Sequence, residues 1–122
     1  MKKITFLIVL FFTVFSLSAQ TSKELVGKWQ LVKQTKGGVE KNLNEQFKTD
    51  QVFQVFSADS KFEGIVGDKS TKGKWKLSKD NKELTITVDL IPVKFSVDYF
   101  DSKKRIISHK QVGTLEYKKI GD

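Results

Sequence analysis

The chain has 122 residues, with no Cys, a single His, and 22 Lys plus Arg against 14 Asp plus Glu. The absence of Cys excludes a disulfide scaffold, a thiolate metal site and a cysteine nucleophile, and one His excludes a multi-His metal centre. This length predicts one domain built around a single core.

The first nineteen residues have the three-part layout of a secretory signal peptide. Lys2 and Lys3 precede an apolar run over residues 4–15, and small residues then lead to Ala19. This run is shorter than the ~20 residues that a membrane-spanning helix needs. We therefore expect residues 1–19 to be removed during export to the periplasm or beyond the cell. The domain then comprises residues 20–122, with no transmembrane segment in the mature protein.

The remainder of the chain alternates apolar and polar residues in short runs that are separated by turns. Thr21 and Glu24 have the spacing of a capping box, which predicts one helical turn before the first strand at Gly27. About eight strands follow, and connections this short force neighbouring strands to be antiparallel. So many strands with one apolar face predict an all-β, up-and-down meander that closes into a barrel. The side chains that this pattern turns inward are Phe53, Val55, Phe62, Gly64, Gly73, Trp75, Leu84, Ile86, Phe95, Val97 and Tyr99.

One segment departs from the alternation, between the first and second predicted strands. Val39, Leu43 and Phe47 recur at intervals of four residues within residues 39–48, which predicts a short amphipathic helix. The helix has two alternative roles, as a movable lid over one barrel mouth or as a fixed plug. We favour the plug, because large apolar side chains rarely tolerate repeated exposure to water.

Gly27-Lys28-Trp29 resembles the Gly-x-Trp signature that opens the first strand of lipocalins. The later block from Gly73 to Leu77 resembles one found in the small lipocalin-like domains of exported bacterial proteins. The resemblance covers residues 20–122 and implies a barrel without shared catalytic chemistry. It further implies that Trp29 plugs one end, under a basic residue from a late strand, for which Arg105 and Lys119 are the candidates.

Charge and motif content argue against nucleic-acid binding and catalysis. Of the 22 basic residues only Arg105 is Arg, and the lysines are spread along the predicted outer faces. Nucleic-acid readers usually depend on Arg for bidentate contacts. His109 has no recognisable nucleophile motif, the acidic residues occur singly, and no phosphate-binding loop is present. We expect a protein that is not an enzyme and that uses no cofactor or metal.

Two functional hypotheses follow from the predicted barrel. In the first, the predicted inner residues line a site for one small apolar ligand, and the Tyr99 hydroxyl meets its polar end. Gly64 and Gly73 then border a void of at most ~300 Å³, the lower limit of useful ligand pockets. In the alternative, the interior is filled and the rim and loops bind another protein, as an inhibitor or assembly module. That alternative predicts an exposed apolar patch near Phe56, Phe100 or Ile107.

Overall fold

The computed structural model describes residues 23–122. The predicted signal peptide, and Thr21 of the predicted capping box, lie outside the described residues. Residues 23–25 form a helical turn immediately before the first strand. The strands and the short helix that follow are, in chain order, β1 (Gly27–Lys36), β2 (Val39–Lys41), the helix Leu43–Phe47, β3 (Val52–Phe56), β4 (Lys61–Val66), β5 (Lys69–Leu77), β6 (Glu83–Val88), β7 (Ile91–Phe100), β8 (Lys104–His109) and β9 (Gly113–Gly121).

The strands form one antiparallel sheet that closes on itself. From β3 to β9 each strand pairs with the next, and β1 pairs with both β3 and β9. Eight strands therefore make a closed barrel, to which β2 is attached as a short hairpin arm on the second half of β1. The predicted meander barrel is confirmed.

The alternation of residue types explains which side of the sheet faces inward. On β5 the lysines at 72, 74 and 76 are exposed, whereas Gly73, Trp75 and Leu77 are half-buried. Turning one face of every strand inward buries a single apolar core, and this burial is the main favourable contribution to folding. The buried apolar residues are Leu25, Trp29, Leu31, Val52, Phe56, Phe62, Leu84, Ile86, Ile107, Leu115 and Tyr117.

The predicted helix between the first two barrel strands is confirmed, but it is shorter than its spacing suggested. Gly37 and Gly38 both have positive φ, which allows a tight turn that pairs Val39 with Lys36 across a hairpin. Val39 is therefore 58% exposed on β2 and is not part of the helix. The helix begins after Asn42, whose side-chain oxygen accepts a hydrogen bond from the Glu45 N–H at 3.1 Å.

The predicted inner row of β3 is wrong. Trp29 lies directly opposite Gln54, and residues paired in this way share a face of the sheet. Gln54 and its neighbours Val52 and Phe56 therefore point inward, so Phe53 and Val55 point outward. The Phe53 ring lies outside the barrel, 4.5 Å from the Lys28 Nζ.

The predicted inward position of Tyr99 is also wrong. Val97 pairs with Ile107, but a register shift before Tyr99 adds one residue to β7 and reverses the alternation. Phe100 consequently points inward, with its ring edge-on to Trp29 at 6.1 Å between centroids. Tyr99 is 47% exposed, and its hydroxyl donates a hydrogen bond to the Asp101 carboxylate at 2.6 Å.

Candidate functional site

One end of the barrel is plugged by aromatic side chains. This closed end carries the helical turn 23–25 and the turns after β3, β5 and β7. Trp29 is fully buried there, and its indole N–H donates to the carbonyl of Leu25 at 2.9 Å. Phe100 packs edge-on to Trp29, while Phe56 packs edge-on to Trp75 at 5.8 Å. Phe56 and Ile107 are buried and Phe100 packs inward against Trp29, so these three residues form no exposed apolar patch, which corrects the expectation for the alternative hypothesis.

Arg105 lies fully buried inside the barrel above this plug. Its guanidinium carbon is 4.2 Å from the ring centroid of Tyr117, 4.9 Å from that of Phe56 and 5.1 Å from that of Trp29. Its Nη2 donates to the side-chain oxygen of Gln54 at 2.7 Å. The guanidinium is therefore enclosed by three aromatic rings and one amide.

The charge of Arg105 has no carboxylate within salt-bridge distance among residues 23–122. Its Nε and Nη1 atoms are buried and make no hydrogen bond within that range. Burial removes the cation from water and lowers the pKa of Arg105 to about 10, so the side chain remains charged at neutral pH. Burial likewise raises the pKa of the neighbouring Tyr117 to about 12, which keeps its hydroxyl protonated.

The residues that carry the lipocalin resemblance lie together at the closed end, namely Gly27, Trp29, Arg105 and Lys119. Lys119 Nζ lies 5.7 Å from the Trp29 ring centroid and donates to the carbonyl of Glu24 at 3.0 Å. Gly27 has φ of +140°, and a Cβ there would meet Lys119 and the carbonyl of Gly121. Both Arg105 and Lys119 thus lie over Trp29, where the sequence indicated one basic residue.

The opposite end of the barrel is open and apolar. It carries the β1–β2 hairpin, the helix Leu43–Phe47 and the turns after β4, β6 and β8. A cavity of about 230 Å³ enters the barrel here, with Gln54 and Tyr117 among the residues that line it. Apolar side chains make up most of its remaining wall, namely Leu31, Phe47, Val52, Val66, Phe95, Val112 and Leu115.

A second opening of about 370 Å³ adjoins this cavity across Gln54 and Phe95, which border both. Its other walls include Phe62, Ile86 and Ile91. The β6–β7 turn at its edge presents Leu90, which is 95% exposed, beside Ile91, which is 65% exposed. The mouth is therefore apolar both inside and at its rim.

The predicted lining residues divide into two groups in the structure. Phe62, Gly64, Ile86 and Phe95 border the open-end cavities, and Phe53 borders the smaller one although it lies on the outward row of β3. The other inward-facing ones pack elsewhere in the interior and do not border either cavity, namely Trp75, Leu84 and Val97.

The two glycines predicted to border a void differ from each other. Gly64 lines the 230 Å³ cavity, and a Cβ there would lie 3.4 Å from the Phe62 ring, an ordinary contact. Gly73 borders neither open-end cavity but a separate depression of about 200 Å³ beside Glu63 and Lys72, and a Cβ there would collide with the carbonyl oxygen of Thr87. The predicted void at Gly73 is therefore wrong, since the neighbouring strand β6 fills that space.

The short helix covers part of the open end. Phe47 lines the cavity, and Leu43 packs against the core from the same helix. Both side chains are half-buried, and no residue of the helix is fully buried. The helix is therefore a partial cover whose apolar face is attached to the core.

Several lining residues are not among those predicted from the sequence. Gln34 is buried, donates from its side-chain nitrogen to the Val112 carbonyl at 2.8 Å, and lines the cavity. Gln54 was the one polar residue between Val52 and Phe56 in a strand that is apolar on both faces. A single amide among apolar residues can indicate a side chain that is buried and hydrogen-bonded, because buried polar groups nearly always have a partner.

Within residues 23–122, His109 and the acidic side chains are the groups to consider for catalysis or metal binding. His109 lies on the same inward row as Arg105, half-buried, with its ring 5.7 Å from that of Phe95. Its Nδ1 accepts a hydrogen bond from the Gln111 backbone at 3.1 Å. Over this part of the chain, His, Asp and Glu side chains do not gather in groups of three or more that would suit a metal ion. None of the helices described is long and apolar enough to span a bilayer.

A closed eight-stranded barrel with a Trp plug under basic residues and an open apolar mouth defines a lipocalin-like fold. The family model described as "Lipocalin-like domain" matches residues 25–108. The chain therefore belongs to the family of lipocalin-like domains, as the Gly-x-Trp resemblance suggested. No curated protein matches it significantly.

Two crystal structures are similar to this chain in fold. One is a lipocalin-like protein from Bacteroides uniformis, with 18% identity and a TM-score of 0.64, covering 80% of this chain and 99% of that one. The other is an uncharacterized protein from Bacteroides eggerthii, with 19% identity and a TM-score of 0.61, covering 79% and 99%. At these identities the similarity establishes the fold alone.

Proposed function

We propose that the protein is a non-enzymatic binding protein that holds one small, mostly apolar ligand in the open end of its barrel. The observation that carries the proposal is the apolar cavity of about 230 Å³ that adjoins the second opening of about 370 Å³. The larger falls within the size range of small-molecule sites and the smaller lies just below it, and the walls of both are predominantly apolar. The ligand position differs from the sequence expectation, because Val55 and Tyr99 border neither cavity.

Membership of the lipocalin-like family supports a binding role for the domain, since such barrels are generally binding proteins. The apolar rim supports it further, because Leu90 and Ile91 lie beside the entrance where an apolar ligand must pass.

Uptake of N-phenylnaphthylamine, an uncharged probe that fluoresces in apolar surroundings, tests this proposal. The wild-type protein should bind the probe, and Gly64→Leu should weaken binding about tenfold or more, because the new side chain enters the cavity. Glu63→Leu is the matched control, since it adds the same side chain to the outer face of β4. Equal loss in both variants, or no uptake by the wild type, would contradict the proposed site.

The alternative is a module that binds another protein through the rim and loops. The feature that favours it is the exposure of Leu90, Ile91 and Val39 at the open end, in place of the patch expected near Phe56. If the wild-type protein takes up no probe, the rim becomes the better candidate for a functional surface. We rank it second because the cavity behind the rim is itself apolar.

We infer in addition that the protein is exported, on the basis of the signal-peptide pattern in residues 1–19. Mass spectrometry of the protein from envelope and culture fractions of its host should give a chain that begins at Gln20. Recovery of a chain that retains residues 1–19 would contradict this inference.

A further inference from the structure

We propose that the protein docks on anionic phospholipid membranes through the turn between β6 and β7, which inserts Leu90 and Ile91 among the lipids while lysines of β5 contact the headgroups. This inference goes beyond the proposed function, because it concerns the outer surface of the barrel and requires no ligand in the interior. Its basis is a strained apolar turn that lies beside a row of exposed lysines.

The conformation of the β6–β7 turn is the first observation. Val88 pairs with Ile91, so Asp89 and Leu90 form a two-residue loop with φ of +52° and +66°. Such loops favour Asn-Gly or Asp-Gly, because larger side chains are strained at positive φ. Leu90 is nevertheless 95% exposed, next to Ile91 at 65%. Stability alone therefore favours a different residue at position 90.

The two-residue turns on other strands of the open end have the residues that this geometry favours. Gly37 and Gly38 form the loop between β1 and β2, and Gly67 and Asp68 form the loop between β4 and β5. All three glycines have positive φ. The β6–β7 turn presents a large aliphatic side chain where these turns present glycine. A strained apolar residue that projects into water indicates a role in contacting an apolar environment.

A lysine row lies beside this turn on the outer face of β5. Lys72, Lys74 and Lys76 occupy three successive outward positions, and all three are exposed. Lys74 pairs with Thr87, two residues before the turn begins. Strand β5 continues beyond this pair, and the backbone at Gly73 lies against Val88, so Lys72 lies level with the turn. A surface that meets the turn can therefore also contact the lysine row.

The charge of the lysine row is not neutralised within residues 23–122. No carboxylate in this range lies within salt-bridge distance of its three lysines. Lys61 lies directly opposite Lys74, although like charges in this position repel each other. Glu63, opposite Lys72, and Asp89 in the turn supply only part of the counter-charge. An anionic membrane surface would supply the remainder.

The chemistry of this surface fits a lipid membrane better than a protein partner. Protein interfaces are enriched in Arg and aromatic residues around a buried core. Here the apolar part is two aliphatic side chains on a projecting turn, and the charged part consists of lysines. Lysine is a point charge on a flexible stem, which suits a layer of mobile phosphate headgroups. Insertion of the turn also brings the opening of about 370 Å³, which Ile91 lines, close to the lipid.

Co-sedimentation of residues 20–122 with lipid vesicles tests the proposal. This range contains the whole barrel and excludes the apolar run at residues 4–15, which would itself partition into lipid. We expect binding to vesicles of equal parts phosphatidylcholine and phosphatidylglycerol, and much weaker binding to phosphatidylcholine alone. Leu90→Gly should weaken binding about tenfold, because no side chain then enters the lipid. Its melting temperature should not fall, since glycine removes the strain at positive φ, so unfolding cannot explain the loss.

Lys72→Gln combined with Lys74→Gln tests the lysine row. Each lysine near an anionic membrane contributes about fivefold in affinity, so this double variant should bind about 20-fold more weakly. Lys104→Gln combined with Lys118→Gln is the matched control, because it removes the same charge from an exposed pair on β8 and β9. Strand β9 lies on the opposite side of the barrel from β5, beyond the Debye length of ~10 Å, so the control should change binding less than about twofold.

The outcomes separate this inference from the proposed function. If the wild type does not bind anionic vesicles, membrane docking is overturned and the protein-binding alternative for the rim gains support. If Leu90→Gly binds as the wild type does, or if both lysine pairs cause an equal loss, the assignment to this face is overturned. Uptake of N-phenylnaphthylamine is measured without lipid, so each proposal can fail while the other stands.

Discussion

Replacing Trp29 by Ala tests how much of the fold depends on the plug at the closed end. The Trp29 side chain is fully buried, and a Trp buries about 200 Å², which at ~25 cal/mol per Å² corresponds to about 5 kcal/mol. The variant also leaves the Leu25 carbonyl without its donor and exposes the guanidinium of Arg105 to a new cavity. We therefore expect a loss of about 5 kcal/mol, which is most of the stability of a small domain.

Trp75→Ala is the matched control, because residues 73–77 (GKWKL) differ from residues 27–31 (GKWQL) at one position and place Trp75 where the other has Trp29. It is half-buried and donates to the Ser57 carbonyl at 2.9 Å, so its loss should cost about 2 kcal/mol. Urea unfolding followed by far-ultraviolet circular dichroism measures both changes without relying on the Trp signal. Equal costs for the two variants, or a larger cost for Trp75, would refute the argument that Trp29 is the structural plug.

Three further changes give separate tests. Leu90 has φ of +66° and is 95% exposed, so Leu90→Asn should raise stability by about 0.5–1 kcal/mol, seen as a melting temperature a few degrees higher. Phe47→Ser should lower stability by about 1–2 kcal/mol and weaken probe binding, because the ring is half-buried at the cavity; a variant unchanged in both would show that the helix does not cover the site. Burial raises the pKa of Tyr117 to about 12, and a hydrogen bond to Asp101 raises that of Tyr99, so Tyr99→Phe should remove one of the two tyrosinate absorbance steps and leave the step near pH 12.

The barrel itself could be predicted from the sequence because strand alternation and turn length are local properties. The alternation on β5 and β6 sorts residues between the two faces without ambiguity, and the Gly-x-Trp block places Trp29 at the start of β1. The strand β3 could not be sorted in this way, since Val52, Phe53, Val55 and Phe56 are apolar on both sides. Its inner face is decided by the pairing with β1, which is a non-local property.

The candidate site could be predicted less well for the same reason. The extra residue before Tyr99 reverses the alternation in β7, and a bulge of this kind leaves no clear mark in the sequence. In the sequence Gly73 indicated open space because glycine has no side chain, but in the structure strand β6 approaches it closely. Arg105 was identified as a residue over Trp29, whereas its unpaired donors and its contact with Gln54 depend on three strands meeting in the interior.

Closure of the barrel by β1 and β9 has a consequence for how the chain folds. The registered pairs run from Lys28 with Gly121 to Thr35 with Thr114, so they join residues that are separated by nearly the whole domain. The other barrel pairings are closer in sequence: from β3 onward they link consecutive strands through short turns, and β1 reaches β3 through the segment that holds β2 and the helix. The final seam therefore carries the largest loop-closure entropy, and such non-local pairing slows folding. Until β9 has been synthesised, one edge of β1 is unpaired and can pair with another chain. The nine residues of β9 therefore protect the chain from aggregation once they pair with β1.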